Sequence, residues 1–468
     1  MGLKISFLGA VQNVTGSRHL IQTEKASVLV DCGYYQERQY QDRNWDPFPF
    51  SPSKLDAILL THAHLDHCGL VPKLVKEGFK GKIFCTTATA EIASVIMYDS
   101  ARLQLEDIEY KKKRHAREKR KSPRPLEPLF TIEDVEDTEP LFATVDYKQK
   151  INVADGIDAT FFDSGHILGS SMIYLNVETE GKQRTVLCSG DIGRHDKPIL
   201  NDPSYFDQAD YVLVESTYGD RIHKPALGSK DELADIINDT VTRGGNIVIP
   251  SFAVERAQEL LYHINELVRE KRIPRLMTFL DSPMAVKVTE IFKNHPEMYD
   301  EEMTDMHNNH QSPFNFNGLT MTPTTAQSKA INNIKGSAII IAGSGMCTGG
   351  RIKHHLAANI SRPESTIVFV GYQAQGTLGR LLLEGKNPIR IIGQQWAVNA
   401  KITKVHGLSG HADRNELTNW ITALKTPPKQ IFVVHGETEA SDSFKDHLKK
   451  ETGWNVTVPS YQETFELE

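Results

Sequence analysis

The sequence predicts a mixed α/β protein of two to four domains, and three observations carry that expectation. Its 468 residues exceed the roughly 100 to 200 that one domain uses. Short β-branched and apolar runs cluster in the first 215 residues, part of them at the spacing of an all-β layer. From there to about residue 393 the rhythm changes to strand, helix, strand, helix, the pattern of a parallel sheet with crossover helices.

In order, strands are predicted at residues 4–8, 28–31, 57–61 and 83–86, followed by a long charged helix from about 89 to 120. The second cluster of strands is 159–163, 172–177 and 185–189, with 211–215 next. In the alternating part, strands at 246–250, 276–280, 338–342 and 366–371 are interleaved with helices at 254–271 and 284–294. The last part returns to strands at 401–406, 431–435 and 456–459 with helices between them. Stretches rich in Pro, Gly and Asn at about 199–208 and 308–323 read as connections.

Composition narrows the class. With 39% hydrophobic and 24% charged residues, and 32 Gly and 22 Pro spread along the chain, a disordered or collagen-like polymer is excluded. No apolar run approaches the roughly 18 residues of a membrane span. The N-terminus alternates like a strand and lacks the basic start and long apolar core of a signal peptide, so a soluble, cytoplasmic protein without a membrane partner is expected. Five cysteines, odd in number and without a C-x-x-C pair, read as buried reduced thiols. The net charge of −7 argues against a whole-surface affinity for nucleic acid but leaves room for a local basic path. Residues 111–121 (KKKRHAREKRK), with eight Lys or Arg and one Glu, are the densest candidate; a solvated helix face is the plainer alternative.

The chemistry concentrates at strand ends. After the apolar run at 57–60 comes Thr61-His62-Ala63-His64-Leu65-Asp66-His67, four ligand-type side chains within six residues. His62 and His64, two apart, share one face of an extended segment, and the turn after them brings Asp66 and His67 to a second point nearby. One loop can thus serve two metal ions. Imidazole and carboxylate without thiolate suit zinc first, with manganese or iron as substitutes. His166 in Asp-Ser-Gly-His-Ile-Leu-Gly and Asp191 in Cys-Ser-Gly-Asp-Ile-Gly each follow a predicted strand directly, and Gly165 and Gly190 loosen the backbone beside each ligand.

Asp31 in Val-Asp-Cys-Gly, the 62–67 motif, His166 and Asp191 together resemble the metallo-β-lactamase superfamily. Glu215 in Val-Glu-Ser-Thr-Tyr-Gly-Asp, His411 in Leu-Ser-Gly-His-Ala-Asp and His435 in Val-Val-His-Gly-Glu are similar to the additional motifs of its β-CASP nucleases. The segments beginning at Pro250, Gly343 and Gly371 look like the inserted β-CASP domain.

The resemblance implies a metallo-β-lactamase αββα sandwich made from residues 1–205 and 395–468, with a parallel-sheet β-CASP domain, 206–394, inserted. Carried over residue by residue, it implies that His62, His64 and His166 hold one zinc, that Asp66, His67 and His435 hold the other, and that Asp191 bridges them. Asp31 would orient a ligand imidazole. Two zinc ions per chain, with manganese as a substitute, would present hydroxide between them for in-line attack on phosphorus. His411, polarised by Glu215, would then protonate the departing oxygen. Asp66, Glu215 and His411 are the catalytic candidates; Ser409, Gly343, Ser344, Gly345 and Arg380 are the candidates for holding phosphate.

The implied activity is a zinc-dependent ribonuclease leaving 5′-phosphate and 3′-hydroxyl ends, endonucleolytic, 5′-exonucleolytic or both. RNA is the expected partner, and a homodimer is an oligomeric state open to it. His at position 435 is similar to the family's RNA-processing branch. The sequence begins at the catalytic domain and ends soon after His435, without the KH extension of many archaeal members or the C-terminal domain of ribonuclease J. Asp413 stands where ribonuclease J has Ser, which weakens the case for that enzyme's 5′-phosphate pocket. The alternatives are a DNA nuclease of the same superfamily, a small-molecule metallohydrolase, for which the insertion is superfluous, and a non-catalytic scaffold, which would be expected to have lost ligands.

Overall fold

The computed structural model describes residues 2–118, 125–223 and 228–468. Packing divides the chain into two compact units: Met1–Asp196, Asp202–Ile222 and His411–Glu468 form the first, and Lys197–Asn201 with His223–Gly410 the second.

The first unit contains two seven-stranded sheets. One runs in the order Glu463–Leu467, Leu3–Gly9, Arg18–Gln22, Ser27–Val30, Ala57–Leu59, Lys82–Cys85 and Phe142–Thr144. The other is Val456–Thr457, Gln430–Val434, Tyr211–Glu215, Lys182–Cys188, Ser171–Thr179, Ile157–Asp163 and Lys150–Ala154. The period-two geometry of a strand explains why Tyr211–Glu215 and Gln430–Val434 read as continuous apolar runs. Tyr211, Leu213, Phe432 and Val434 face the first sheet and join a core with Ile5, Phe7, Val28 and Leu59. Val212, Val214, Ile431 and Val433 face outward into a second core with Leu417, Trp420, Phe444 and Leu448, on helices Arg414–Thr422 and Thr438–Thr452. Both faces of these strands are therefore covered. At about 1.5–3 kcal/mol for each such side chain buried, these two cores dominate what holds the unit together.

The second unit is built on a six-stranded, all-parallel sheet: Leu319–Met321, Met277–Asp281, Ala338–Ala342, Ile247–Pro250, Thr366–Phe369 and Lys401–Lys404. Helices Ser229–Thr242, Arg256–Arg269, Pro283–Asn294 and Ile352–Asn359 connect or flank its strands. The alternation read from the sequence is this sheet and its crossovers.

The inserted domain was expected at 206–394, and packing places the second unit's main segment at His223–Gly410 instead. Tyr211–Glu215 pairs with Lys182–Cys188 and Gln430–Val434 in the first unit, and Lys401–Lys404 adds to the edge of the second unit's sheet beside Thr366–Phe369. A five-residue apolar strand does not announce which sheet takes it. The long helix expected to about residue 120 is described as Thr87–Glu118; residues 119–121 of the basic segment lie outside the described residues. All five cysteines are buried and unbonded to one another. Among the described residues, no helix is long and apolar enough to cross a membrane.

One buried ion cluster organises the carboxyl end of the second unit's sheet. Asp281 is fully buried and accepts hydrogen bonds from His355 Nε2 at 2.6 Å, Ser328 Oγ at 2.6 Å, Arg351 at 2.7 Å and Thr322 Oγ1 at 2.8 Å. Burial alone would raise its pKa, but these donors outweigh it and hold the carboxyl at about 2. Asp281→Ala removes the carboxylate from Arg351, which keeps Thr322 O and Pro323 O, and the acceptor from His355 Nε2, and is expected to destabilise the unit by about 3–5 kcal/mol. With a folded pKa of about 2 against 3.8 unfolded, the contribution is complete above pH 3.8 and is lost as pH falls through about 2. Urea unfolding checks this: the gap between variant and wild type should narrow from about pH 5 to about pH 3, whereas a constant gap would contradict it.

A candidate dinuclear metal centre

The strand Ala57–Leu59 ends just before His62, and the backbone remains extended through His64, which caps the short helix Leu65–Cys68. That turn places Asp66 and His67 on the same side as the two preceding imidazoles. Its seat is the 31–34 segment: Cys32 N donates to His67 O at 2.7 Å and Tyr34 N to Leu65 O at 3.0 Å. A Cβ on Gly33 would fall 1.6 Å from Asp66 O, so no residue other than glycine fits there. His166, Asp191 and His435 follow the strands Ile157–Asp163, Lys182–Cys188 and Gln430–Val434. Gly165 and Gly190, both at positive φ, make the turns that aim the first two inward.

The side chains form two clusters, and Asp191, Glu215 and His411 make a third group that shares Asp191. In one, His64 Nδ1 lies 3.1 Å from both His62 Nε2 and His166 Nε2, and Asp191 Oδ2 lies 3.4 Å from the same two nitrogens. In the other, His67 Nε2 and His435 Nε2 are 3.0 Å apart, Asp66 Oδ2 is 3.7 Å from His435, and Asp191 Oδ1 is 3.4 and 3.5 Å from His67 and His435. Asp191 thus turns one oxygen to each cluster. Its Oδ1 is buried with no hydrogen-bond donor, and ring nitrogens face one another at 3.0–3.1 Å. A tetrahedral zinc with bonds of about 2.0–2.1 Å separates its ligand atoms by about 3.3 Å. The donor set fits such an ion in chemistry and in spacing.

Hydroxyl and carboxylate partners set the tautomers. Asp31 Oδ2 accepts from His67 Nδ1 at 2.7 Å, while its Oδ1 accepts from Thr61 N at 2.8 Å. Thr61 Oγ1 donates to Asp31, which leaves a lone pair for His62 Nδ1 at 3.0 Å. Thr217 Oγ1 donates to His435 O and likewise accepts from His435 Nδ1 at 3.0 Å. The neutral form that this network selects for each of the three imidazoles carries its proton on Nδ1, which leaves Nε2 as the atom that faces the cluster and would ligate a metal. Sequence reasoning assigned Asp31 but passed over Thr61 and Thr217; a hydroxyl residue adjoining each ligand motif was the available signal.

Electrostatics divide the imidazoles. Burial drives His62, His64 and His166 down, His64 to about 3, so they are neutral and ready to ligate. Burial also opposes charge on His435, yet Asp191 and Asp66 raise it to about 10, and His67 moves up for the same kind of reason. The second cluster therefore favours positive charge. Beside them, His411 Nδ1 lies 3.2 Å from Glu215 Oε1 and 3.9 Å from Asp191 Oδ2. Glu215 is fully buried and held by Ile192 N at 2.6 Å. Burial lowers the His411 pKa, but Glu215 and Asp191 outweigh it and raise it above its ordinary value. The His411 side chain is 19% exposed and that of Asp66 16%, against 2% for Asp191, so these are groups of the centre that an incoming molecule can reach.

The nine residues expected at the centre, with Asp31, are all in the first unit. Ser409, Gly343, Ser344, Gly345 and Arg380 are in the second. There the 343–350 loop closes partly on itself, Ser344 N donating to Gly349 O and Gly349 N to Ser344 Oγ, and Arg380 pairs with Glu384 at 2.6 Å. Asp413 caps the helix Arg414–Thr422 in a reciprocal arrangement with Glu416, a structural task.

The sequence matches three family descriptions: a metallo-beta-lactamase superfamily domain over residues 20–215, a Beta-Casp domain over 257–382 and a Zn-dependent metallo-hydrolase RNA specificity domain over 396–459. It is 38% identical over 437 residues to ribonuclease TTHA0252 of Thermus thermophilus, covering 93% of this chain and 94% of that protein. It is 32% identical over 470 residues to transcription termination factor FttA of Methanosarcina mazei, covering 96% of this chain and 70% of that one. Among solved structures, a protein of unknown function from Enterococcus faecalis V583 superposes over the whole of both chains with a TM-score of 0.55 at 12% identity, a likeness of fold alone.

Proposed function

The chain belongs to the β-CASP family of the metallo-β-lactamase superfamily and is a metal-dependent hydrolase, and from that premise we propose that it is a zinc-dependent ribonuclease with two metal ions per chain. The observation that carries the reading is Asp191, whose two oxygens divide between two clusters of ligand atoms while His411 and Glu215 stand beside it. Zinc bound there would supply the Lewis acidity that makes water a nucleophile at neutral pH. His62, His64 and His166 would hold one ion, Asp66, His67 and His435 the other, with Asp191 between.

The chain's own residues do the rest. Asp31, Thr61 and Thr217 keep the imidazoles in the ligating tautomer. His411, protonated, gives its proton to the ribose 3′-oxygen as the phosphorus–oxygen bond breaks, and Glu215 stabilises the ring in the charged form from which it donates. The products are a 5′-phosphate and a 3′-hydroxyl. Ser409, Arg380 and the amides of Gly343, Ser344 and Gly345 are the candidates for holding phosphate oxygens. The ribonuclease named among the relatives supports RNA as the substrate. Assay of the purified protein against labelled RNA, single-stranded DNA and a chromogenic ester tests the reading. RNA should be cut fastest and leave 5′-phosphate ends; preferential turnover of DNA or of the ester would overturn it.

An acidic protein must gather its cations locally to hold RNA, and Lys111, Lys112 and Lys113 are exposed on the distal part of the helix Thr87–Glu118. Lys111 pairs with Asp107 at 2.5 Å and Arg114 lies 3.6 Å from Glu118, so the stripe is partly neutralised. Replacing Lys111, Lys112, Lys113 and Arg114 by Ala should weaken RNA binding and flatten its dependence on salt by up to about 0.7 for each phosphate that the side chains no longer neutralise. Binding titrations across a salt series check this. An unchanged slope would mean that the segment is only a solvated helix.

A further inference from the structure

Strands Ala338–Ala342, Ile247–Pro250 and Thr366–Phe369 are neighbours in the second unit's parallel sheet, and their carboxyl ends lead into the loops at 343–351, 251–255 and 370–377. The carboxyl edge is where open parallel sheets take ligands. Two large aromatic rings stand there in water: Phe252 is 39% exposed and Tyr372 46%.

Single exposed aromatics are ordinary. This pair differs in how it is seated. A Cβ on Gly345 would lie 2.8 Å from Phe252 Cδ2 and Cε2, and one on Gly371 would lie 3.4 Å from Cε2, so the ring rests against two glycine backbones. Tyr372 follows the second of them directly. The two glycine loops are tied together by the buried amide of Gln373, whose Nε2 donates to Gly345 O at 2.9 Å and to Tyr372 O at 3.0 Å, and by Gly379 N donating to Met346 O. The seat is hydrogen-bonded, while part of the ring is left to solvent. Burying that ring would have been favourable, so a braced and open ring fits a partner that covers it on arrival.

We propose that Phe252, with Tyr372 on the neighbouring loop, is a stacking platform for an unpaired nucleobase, a binding site in the second unit distinct from the candidate metal centre in the first. The choice of RNA as the strand rests on the reading above; the stacking itself does not. Every base has a π-face, so such a platform tolerates any sequence but requires a base free of its duplex. Gly345 then serves to admit the ring rather than only to hold phosphate.

The test uses the full chain and a short single-stranded RNA with phosphorothioate linkages carrying one 2-aminopurine, read by fluorescence titration. Phe252→Ala should weaken binding about five- to a hundredfold, and Tyr372→Ala, on a separate loop, should weaken it in the same sense. Phe252→Trp should keep wild-type affinity within about twofold, whereas Phe252→Leu, apolar but without a π-face, should behave like Phe252→Ala. Against an abasic oligomer of the same length, wild type and Phe252→Ala should bind equally. Equal loss on the intact and the abasic strand would show that the ring acts through the fold, and would overturn the platform. RNA binding indifferent to both rings would overturn the platform and leave the ribonuclease reading standing. Binding of single-stranded DNA alone, with the same dependence on Phe252, would overturn the RNA reading and leave the platform standing.

Discussion

Replacing His411 by alanine should lower RNA cleavage by about 10² to 10⁴ while the protein keeps its metal. The two halves of this result separate acid catalysis from ligation. His411 lies outside the two four-donor sets formed around Asp191: its Nδ1 points to Glu215 at 3.2 Å and reaches Asp191 only at 3.9 Å. The candidate ligands face one another at 3.0–3.5 Å around Asp191, apart from Asp66 at 3.7 Å from His435. Loss of the ring therefore costs the proton that the ribose 3′-oxygen needs, not the ions that activate water. The leaving group supplies an internal control. A p-nitrophenyl phosphodiester departs as a stable phenolate, so His411→Ala should lose far less on it than on RNA. Metal analysis and parallel kinetics on the two substrates check this. Low zinc in His411→Ala together with intact zinc in His435→Ala would mean that the two histidines exchange roles.

Asp191→Ala should have the largest effect of any single change, removing both metals and reducing cleavage to background. Each of its oxygens belongs to a different cluster, so one truncation opens both. It also removes the largest of the charges that draw His67 and His435 upward, leaving Asp31 and Asp66 as their remaining carboxylate partners. The loss should exceed the 10–100-fold in metal affinity typical of an outer-shell partner, which is the range expected for Asp31→Asn. His435→Ala should fall between them, emptying one cluster and sparing the other. Zinc titration of the three variants orders them; Asp31→Asn costing more than Asp191→Ala would be inconsistent with a bridging carboxylate.

Part of the candidate metal centre was legible in the sequence from local geometry, and the rest, His435 with Glu215 and His411, only through the resemblance to the β-CASP nucleases. His62 and His64 share a face by the period of an extended chain, Asp66 and His67 are turned back by the next residues, and His166 and Asp191 follow strands whose apolar pattern is plain. The tautomer-setting hydroxyls were passed over: Thr61 adjoins the 62–67 motif and Thr217 lies two residues after Glu215, but the contacts they make, to His62 and to His435 far along the chain, are set by the fold. The parallel sheet of the second unit followed from its strand–helix rhythm, but its limits did not. Tyr211–Glu215 and Lys401–Lys404 find their partners far away in the chain, so the choice of sheet is made by tertiary pairing rather than by anything local. Glu463–Leu467, which closes the edge of the first sheet beside Leu3–Gly9, escaped because only Leu467 in it is buried and its other positions are partly or fully open to solvent. The seat of Phe252 was equally hidden, since it joins glycines 26 residues apart.

Elemental analysis of the purified protein, paired with RNA cleavage on the same sample, tests the dinuclear centre most directly. The geometry around Asp191 predicts about two zinc ions per chain, with cleavage lost as a chelator removes them and restored as zinc is returned. One ion or none in a sample with full nuclease activity would contradict it.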